Sequence, residues 1–191
     1  MTFSPLIERA MRVAARAHRH QHRKASDLPY ITHPASVALI LARAGFTDEA
    51  MLAAALLHDV VEDTGYHRDA LAAEFPPLVV EYVDALSERK LDDSGRKRSW
   101  RDRKLDHIEE ISRAPLAARA IELADKLHNL GTMLFDLDAG ETLWERFTSS
   151  PADLVWYHTE MIAAAAGSDE ALAPLANECR ELLGRLAARV P

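Results

Sequence analysis

Apolar residues along this chain recur mainly at helical spacing. Ser4 and Pro5 form a capping residue and a first-turn proline, which is a typical helix start. The apolar positions that follow are three, four or seven residues apart along one face: Leu6, Ala10, Val13, Ala14 and Ala17. Sustained alternation of apolar and polar residues between turn signals, the pattern of β-strands, is absent. The sequence therefore predicts an all-α fold.

Capping, proline and glycine signals divide the rest of the chain into further helices. The predicted helices cover about residues 5–19, 34–45, 47–65, 69–75, 78–87, 100–111, 115–135, 151–167 and 168–189. We expect the last of them to bend at Pro174, and residues 136–140 to form a turn. Together these elements predict a helical bundle.

The most informative stretch is AAALLHDVVEDT at residues 53–64, an apolar helix that becomes ionisable near its end. On one helix, residues four apart share a face, so His58 would lie under Glu62 and Asp59 under Asp63. Burying these groups is costly unless a cation compensates them. The stretch therefore indicates a metal site with two carboxylates available for water, although Glu62 and Asp63 could instead form a solvated helix end.

Composition limits the classes of function that remain. A length of 191 residues suits one domain spanning 1–191, with a motif core at about 14–133 and closing helices at about 141–190. The single cysteine, Cys179, excludes a disulfide framework or a cysteine zinc cluster within one chain. No signal peptide or membrane-spanning run is visible. We expect a cytoplasmic protein that binds no membrane, and a net charge of -7 argues against general nucleic-acid binding.

Two basic stretches could meet an anionic ligand. The first is residues 18–24, and the second, residues 89–104, is the most basic part of the chain. A solvated surface is the alternative interpretation of both. We interpret six histidines as surface or secondary-pocket residues, the last of them being the best placed to approach the site: His18, His20, His22, His67, His107 and His128.

A wider set of candidate ligands surrounds the central pair. His33 and Asp125 each interrupt a strongly apolar helix pattern, where an isolated charge is rare. With His58 and Asp59 they supply two imidazoles and two carboxylates. Such a set suits a divalent metal with open positions for water and substrate. The oxygen content favours Mn²⁺, with Fe²⁺ or Mg²⁺ possible, over a closed structural zinc site.

Three sequence motifs, in this order along the chain, resemble those of a known family. They are RK at 23–24 before PYITHP at 29–34, then LHDVVEDT at 57–64, then LADKLHNL at 123–130. The chain is similar here to the all-helical HD-domain metal phosphohydrolases, and within them to the RelA/SpoT-type hydrolases of (p)ppGpp, especially the small stand-alone ones. The resemblance spans about residues 14–133.

The resemblance implies Mn²⁺-dependent hydrolysis of the 3′-pyrophosphate of guanosine tetra- or pentaphosphate, giving GDP or GTP and pyrophosphate. By position it implies four metal ligands, His33, His58, Asp59 and Asp125. It implies that Glu62 and Asp63 handle the attacking water and proton transfer. It implies five substrate-binding residues, Arg23, Lys24, Tyr30, Asn129 and Thr132.

Helix geometry supports part of this assignment. Asn129 and Thr132 follow Asp125 by one and nearly two turns, so the three face one groove. Arg23 and Lys24 can supply charge-assisted donors to phosphates. Other roles stay open, because Asn129 could be a surface amide, Thr132 a hydroxyl bonded to the backbone, and Tyr30 a packing residue.

One departure bears on specificity. Gly131 stands where relatives commonly have arginine, which removes a positive charge near the substrate. Two alternatives therefore remain: an HD phosphohydrolase for another nucleotide, such as NADPH or a nucleoside phosphate, and a catalytically silent nucleotide-binding regulator. A regulator would not need Glu62 and Asp63 beside the metal ligands. The sequence does not predict the oligomeric state.

Overall fold

Helices make up most of the chain in this computed structural model, which describes residues 3–24, 26–92, 94–142 and 144–191. Asp93, part of the second basic stretch, lies outside the described residues. The helices are α1 Pro5–Ala17, α2 Thr32–Arg43, α3 Glu49–Leu57, α4 Val60–Asp63, α5 Arg68–Glu74, α6 Pro77–Leu86, α7 Trp100–Arg113, α8 Leu116–Asp138, α9 Pro151–Ala166 and α10 Ala173–Ala187. Because the described ranges contain no β-strand, the predicted all-α fold is confirmed.

Several helices begin and end where the sequence signals them. The Ser4 side chain accepts a hydrogen bond from the backbone N–H of Ile7, and Ser150 accepts one from that of Asp153. Both serines thus satisfy an N–H group that a helix start leaves unpaired. Gly45 follows α2 with φ of 90°, a conformation that favours glycine over any residue with a Cβ atom.

The predicted helix over residues 47–65 is wrong in one respect, because the structure divides it into α3 and α4. His58 and Asp59 lie at the junction. In a continuous helix the Ala55 carbonyl would accept from the N–H of Asp59, but here it lies 2.7 Å from Nδ1 of His58. The His58 imidazole therefore competes for a backbone acceptor of its own helix, and the interruption falls at the candidate ligand pair.

Several other boundaries also differ from the prediction. Helix α8 continues to Asp138, through most of the predicted turn at 136–140. Helix α10 begins at Ala173, so Pro174 lies in its first turn and causes no bend. A proline is tolerated there because the first N–H groups of a helix have no partner inside it. Helix α1 ends at Ala17, two residues before the predicted end.

Helix α8 lies at the centre of the packing, in contact with α2, α3, α6, α7, α9 and α10. Helix α3 packs against α1, α2 and α6, and its residues 53–57 are almost completely buried. This packing brings the end of α3, the start of α2 and the middle of α8 together. None of the helices in the described ranges is long and apolar enough to cross a membrane.

Candidate metal centre and active site

Three side chains from three helical segments converge in the interior. His33 is in the first turn of α2, His58 follows α3, and Asp125 is in the middle of α8. Their nearest ligand atoms all lie within 4.8 Å of one another. The Oδ1 atom of Asp125 is 2.9 Å from Nε2 of His33 and 3.8 Å from Nε2 of His58. Two imidazole nitrogens and a carboxylate oxygen at one point suit a divalent cation.

The ring of His58 is oriented for ligation. Its Nδ1 donates to the Ala55 carbonyl at 2.7 Å, so Nε2 is the nitrogen that can take up either a proton or a metal ion. That Nε2 is buried, and although Oδ2 of Asp59 lies 3.1 Å away, it makes no hydrogen bond of normal geometry among the described residues. A buried nitrogen in this state fits a metal ligand, because ligating histidines are typically held by a hydrogen bond through the other ring nitrogen.

Asp59 adjoins the same point. Its Oδ2 is 3.1 Å from Nε2 of His58 and 3.5 Å from Nε2 of His33, and it accepts a hydrogen bond of 2.6 Å from the Tyr30 hydroxyl. Burial and the Asp59 carboxylate hold the pKa of Tyr30 well above its ordinary value, so the hydroxyl stays a donor. All four predicted ligands are thus neighbours, and ligation by Asp59 remains a prediction.

The electrostatics of the centre call for positive charge. Burial by itself would lower the pKa of His58, but the carboxylates of Asp59 and Asp125 outweigh it and raise that pKa to about 10. Burial acts in the opposite sense on Asp125, whose pKa is nevertheless held well below its usual range by Lys126, His33 and His58. The two carboxylates therefore attract a cation into this space, either a proton on His58 or a metal ion.

Sequence reasoning missed the ion pair behind Asp125. The Lys126 ammonium lies 2.6 Å from Oδ2 of Asp125 and 2.8 Å from Oε1 of Glu122, and all three residues are buried. This leaves Oδ1 of Asp125 to face the imidazoles. A signal was available, because Glu122 and Lys126 are four residues apart inside an otherwise apolar helix pattern, the spacing of a helical ion pair.

The two predicted water-handling acids are held by the basic stretch. Nζ of Lys90 lies 3.2 Å from Oε1 of Glu62 and 2.7 Å from Oδ1 of Asp63. The backbone N–H of Glu88 donates to Oε2 of Glu62 at 3.0 Å. The backbone N–H of Asp63 donates to the Asp59 carbonyl at 2.9 Å, so α4 follows directly from the ligand pair. These contacts leave Glu62 partly buried and Asp63 exposed, so a solvated position fits Asp63 but not Glu62.

Most other charges of residues 89–104 are used within the protein. Arg103 and Lys104 pair with the buried carboxylate of Glu88, and Arg98 pairs with Asp106. Contact of this stretch with a ligand stays a prediction. Lys90 was not distinguished from its neighbours by the sequence.

The predicted substrate-binding residues fall into two groups. Arg23 donates to Oδ1 of Asn129 at 2.8 Å, and its guanidinium lies 5.6 Å from the centre of the Tyr30 ring. Asn129 in turn donates to Oδ1 of Asp125 at 2.7 Å, so Arg23, Tyr30 and Asn129 adjoin the centre. The other two residues make different contacts. Thr132 donates to the Asn129 carbonyl at 3.0 Å, so its hydroxyl is bonded to the backbone. The Lys24 ammonium lies 4.5 Å from the centre of the Phe147 ring.

Of the six remaining histidines, His18 and His107 are buried and His128 is partly buried. His18 packs on Tyr30 with ring centroids 4.7 Å apart, and His107 lies 3.9 Å from Glu88, so the surface alternative is wrong for both, and the secondary-pocket alternative stays a prediction. His128 adjoins the centre, with Nδ1 2.8 Å from Nδ1 of His33. Burial, His33 and Arg23 lower the pKa of His128 to about 4, so its ring is neutral at neutral pH.

Comparison with known proteins places this geometry in a family. Residues 10–150 match the HD domain family. The chain is 44% identical over 133 residues to a probable GTP pyrophosphokinase of Mycobacterium leprae, covering 68% of this chain and 16% of that protein. It is 42% identical over 120 residues to the human guanosine-3′,5′-bis(diphosphate) 3′-pyrophosphohydrolase MESH1, covering 61% of this chain and 63% of that enzyme. For the Drosophila melanogaster MESH1 the identity is 38% over 135 residues, with 69% and 72% covered.

The fold also has solved counterparts. A structure described as a metazoan ortholog of SpoT that hydrolyses ppGpp aligns with a TM-score of 0.77 and 30% identity, covering 97% of each chain. A Listeria monocytogenes protein aligns with a TM-score of 0.72 and 30% identity, covering 87% of this chain and 100% of its own. The chain spans about a sixth of the pyrophosphokinase it matches and about two thirds of the MESH1 enzymes. From the matched residues and the shared fold, the chain belongs to the HD domain family.

Proposed function

We propose that this protein hydrolyses the 3′-pyrophosphate of guanosine tetra- or pentaphosphate, with Mn²⁺ as its cofactor. The observation that carries the proposal is the convergence of His33, His58 and Asp125, whose ligand atoms lie within 4.8 Å of one another. The short helix that carries Glu62 and Asp63 begins directly after Asp59. Similarity to the human and Drosophila MESH1 hydrolases supports the choice of substrate. The products are GDP or GTP, with a free 3′ hydroxyl, and pyrophosphate.

The metal would be held by His33, His58 and Asp125, with Asp59 as the fourth ligand. The buried Nε2 of His58, which lies 3.1 Å from Oδ2 of Asp59, fits this assignment. When bound, a divalent ion activates water and polarises a phosphoryl oxygen. A set of two imidazoles and two carboxylates accommodates Mn²⁺ and leaves coordination positions for water and substrate, with Fe²⁺ or Mg²⁺ as alternatives.

Glu62 is the candidate general base. Its carboxylate is fixed by the Glu88 N–H and by Lys90, so its orientation is set before substrate binds. A carboxylate held near the reacting water can accept its proton as the phosphorus is attacked. Asp63, on the same short helix and paired with Lys90, would assist proton transfer to the leaving 3′ oxygen.

Arg23 and Asn129 are the best-supported substrate contacts. The Asn129 amide links the Arg23 guanidinium to Asp125, so a nucleotide bound by Arg23 would be placed against the metal centre. A guanidinium can stack on a base or bind phosphate through paired donors. Lys24, Tyr30 and Thr132 complete the proposed substrate-binding set.

The direct test is incubation of the purified protein with Mn²⁺ and guanosine tetraphosphate. We expect release of pyrophosphate and GDP in equal amounts. A parallel panel should contain NADPH, nucleoside monophosphates and nucleoside triphosphates. Failure to hydrolyse guanosine tetraphosphate with metal bound would reject the substrate, while nucleotide binding without product under any divalent ion would indicate a silent regulator.

Gly131 is the feature that favours another nucleotide. Among the described residues, a Cβ atom at this position would meet only Leu182, at 3.8 Å, so packing does not require the glycine. Compared with an arginine at this position, Gly131 leaves more space and removes one positive charge next to Leu130. Faster hydrolysis of another nucleotide in the panel would assign the protein to that substrate instead.

We further propose that residues 1–191 act as one HD unit. Helices α9 and α10 pack against α8, which carries Asp125, so the C-terminal helices support the site rather than form a separate body. Deleting α10 should therefore unfold the protein cooperatively. Circular dichroism during thermal unfolding would measure this, and a truncated chain that keeps its helical content and melting temperature would contradict it.

Replacing Arg23 with alanine should raise KM for guanosine tetraphosphate by about 10–150-fold, because a charge-assisted contact to substrate contributes about 1.5–3 kcal/mol. We expect a smaller change in kcat, since Arg23 touches Asn129 and not the metal ligands. Steady-state kinetics measure both constants. The exposed Arg12→Ala on α1 is the matched control, and equal KM values for the two variants would exclude Arg23 from substrate binding.

Replacing Lys90 with methionine should move the acidic limb of the pH–kcat/KM profile to higher pH. Burial already raises the pKa of Glu62, whereas the Glu88 N–H and Lys90 lower it. Removing the ammonium therefore raises that pKa further, and a base must be unprotonated to act. The loss of activity should be greater at acidic than at alkaline pH. An unshifted profile would separate Lys90 from the base, and Lys97→Met in the same stretch is the control.

A further inference from the structure

The two imidazoles of the centre are oriented by different kinds of group. His58 donates through Nδ1 to a backbone carbonyl, whereas Nδ1 of His33 faces a side chain, Nδ1 of His128, at 2.8 Å. We propose that His128 is a positioning residue that fixes the tautomer of His33 in which Nε2 is free to bind the metal. This inference rests on the proposed metal centre and deepens it.

Helix α8 places His128 for this role. Residues three apart on a helix are neighbours on its surface, so Asp125 and His128 both face α2. Asp125 approaches Nε2 of His33 at 2.9 Å, while His128 approaches Nδ1 of the same ring. The rings of His33 and His128 have centroids 4.9 Å apart. One helix thus contacts both nitrogens of His33.

The contact between the two Nδ1 atoms of His33 and His128 fixes where the protons of both rings lie. Two neutral imidazole nitrogens in a hydrogen bond share one proton, so one ring donates and the other accepts. If His33 binds a cation through Nε2, its own proton must be on Nδ1, and His128 must accept there. The remaining proton of His128 is then on Nε2. Metal binding at His33 therefore requires a defined tautomer of His128.

The proposal also explains why this side chain can control the centre. The orientation of His58 depends on the Ala55 carbonyl, which no substitution removes. The orientation of His33 depends on a side chain that a substitution can delete. Loss of such a second hydrogen bond typically weakens metal affinity by about 10–100-fold.

Two variants of the full chain separate positioning from packing. His128→Asn keeps an acceptor, since the amide oxygen can replace Nδ1, whereas His128→Leu fills space without accepting. Mn²⁺ affinity should be measured by electron paramagnetic resonance without nucleotide. We expect His128→Leu to bind Mn²⁺ about 10–100-fold more weakly and His128→Asn to bind close to the wild type. Equal affinity of all three proteins, or equal losses in both variants, would overturn the proposal.

A second measurement needs no substitution. Nitrogen-15 NMR of the unsubstituted protein, loaded with diamagnetic Zn²⁺ as the probe, reports which nitrogen of each ring carries the proton. We expect protonated Nδ1 on His33 and protonated Nε2 on His128, and the reverse arrangement would overturn the inference. Because neither measurement contains nucleotide, both can succeed even if guanosine tetraphosphate is not a substrate.

Discussion

Replacing Asp125 with asparagine is expected to lower kcat for guanosine tetraphosphate by at least about 10³-fold, since a catalytic metal supplies several kcal/mol of stabilisation. Oδ1 of Asp125 lies 2.9 Å from Nε2 of His33, and Oδ2 of the same carboxylate lies 2.6 Å from the Lys126 ammonium. The amide has nearly the same shape but no charge, so it is a much weaker ligand. It also leaves the buried Lys126 ammonium with Glu122 alone.

Two measurements make the test specific. Calorimetric titration should show a loss of Mn²⁺ affinity, and pyrophosphate release should show the matching loss of kcat. Glu160→Gln, an exposed change on α9, is the control for loss of one carboxylate. If Asp125→Asn still bound Mn²⁺ with unchanged affinity and turned over at a rate near that of the wild type, Asp125 would not be a ligand.

The residues that could be predicted from the sequence are those that conflict with their surroundings. His33 and Asp125 interrupt apolar helix patterns, and such a conflict has few explanations other than a compensating cation. The structure brings them together because α8 packs against α2. The order of the three sequence motifs was then enough to identify the family without any three-dimensional information.

The break between α3 and α4 could not be predicted in the same way. Residues 53–64 have helical periodicity throughout, and both His58 and Asp59 keep right-handed helical dihedral angles. At the end of α3, Nδ1 of the His58 ring lies 2.7 Å from the Ala55 carbonyl, so the ring competes with the backbone for this acceptor. Such a contact depends on a rotamer, which periodicity does not contain.

Contacts between residues that are distant in sequence could not be predicted either. Lys90 is far in sequence from Glu62 and Asp63 and is one of several basic residues in its stretch, so only the packing of α6 and the segment after it shows the pairing. The same holds for His128, whose place beside His33 follows from α8 packing on α2. The sequence thus predicts the candidate ligands and acids of the site better than the residues that hold them in place.

Replacing Glu62 with glutamine should lower kcat by about 10²–10⁴-fold, the usual contribution of a general base, while Mn²⁺ affinity stays near that of the wild type. The amide can still accept from the Glu88 N–H, so the local structure should persist, but it cannot take a proton from water. Asp63→Asn is the informative comparison, because Asp63 shares Lys90 but its side chain is more exposed, 31% against 19%. We expect the larger loss for Glu62→Gln. If Asp63→Asn lost more, the base would be Asp63, and if both variants kept most of their kcat, the water would be activated without either acid.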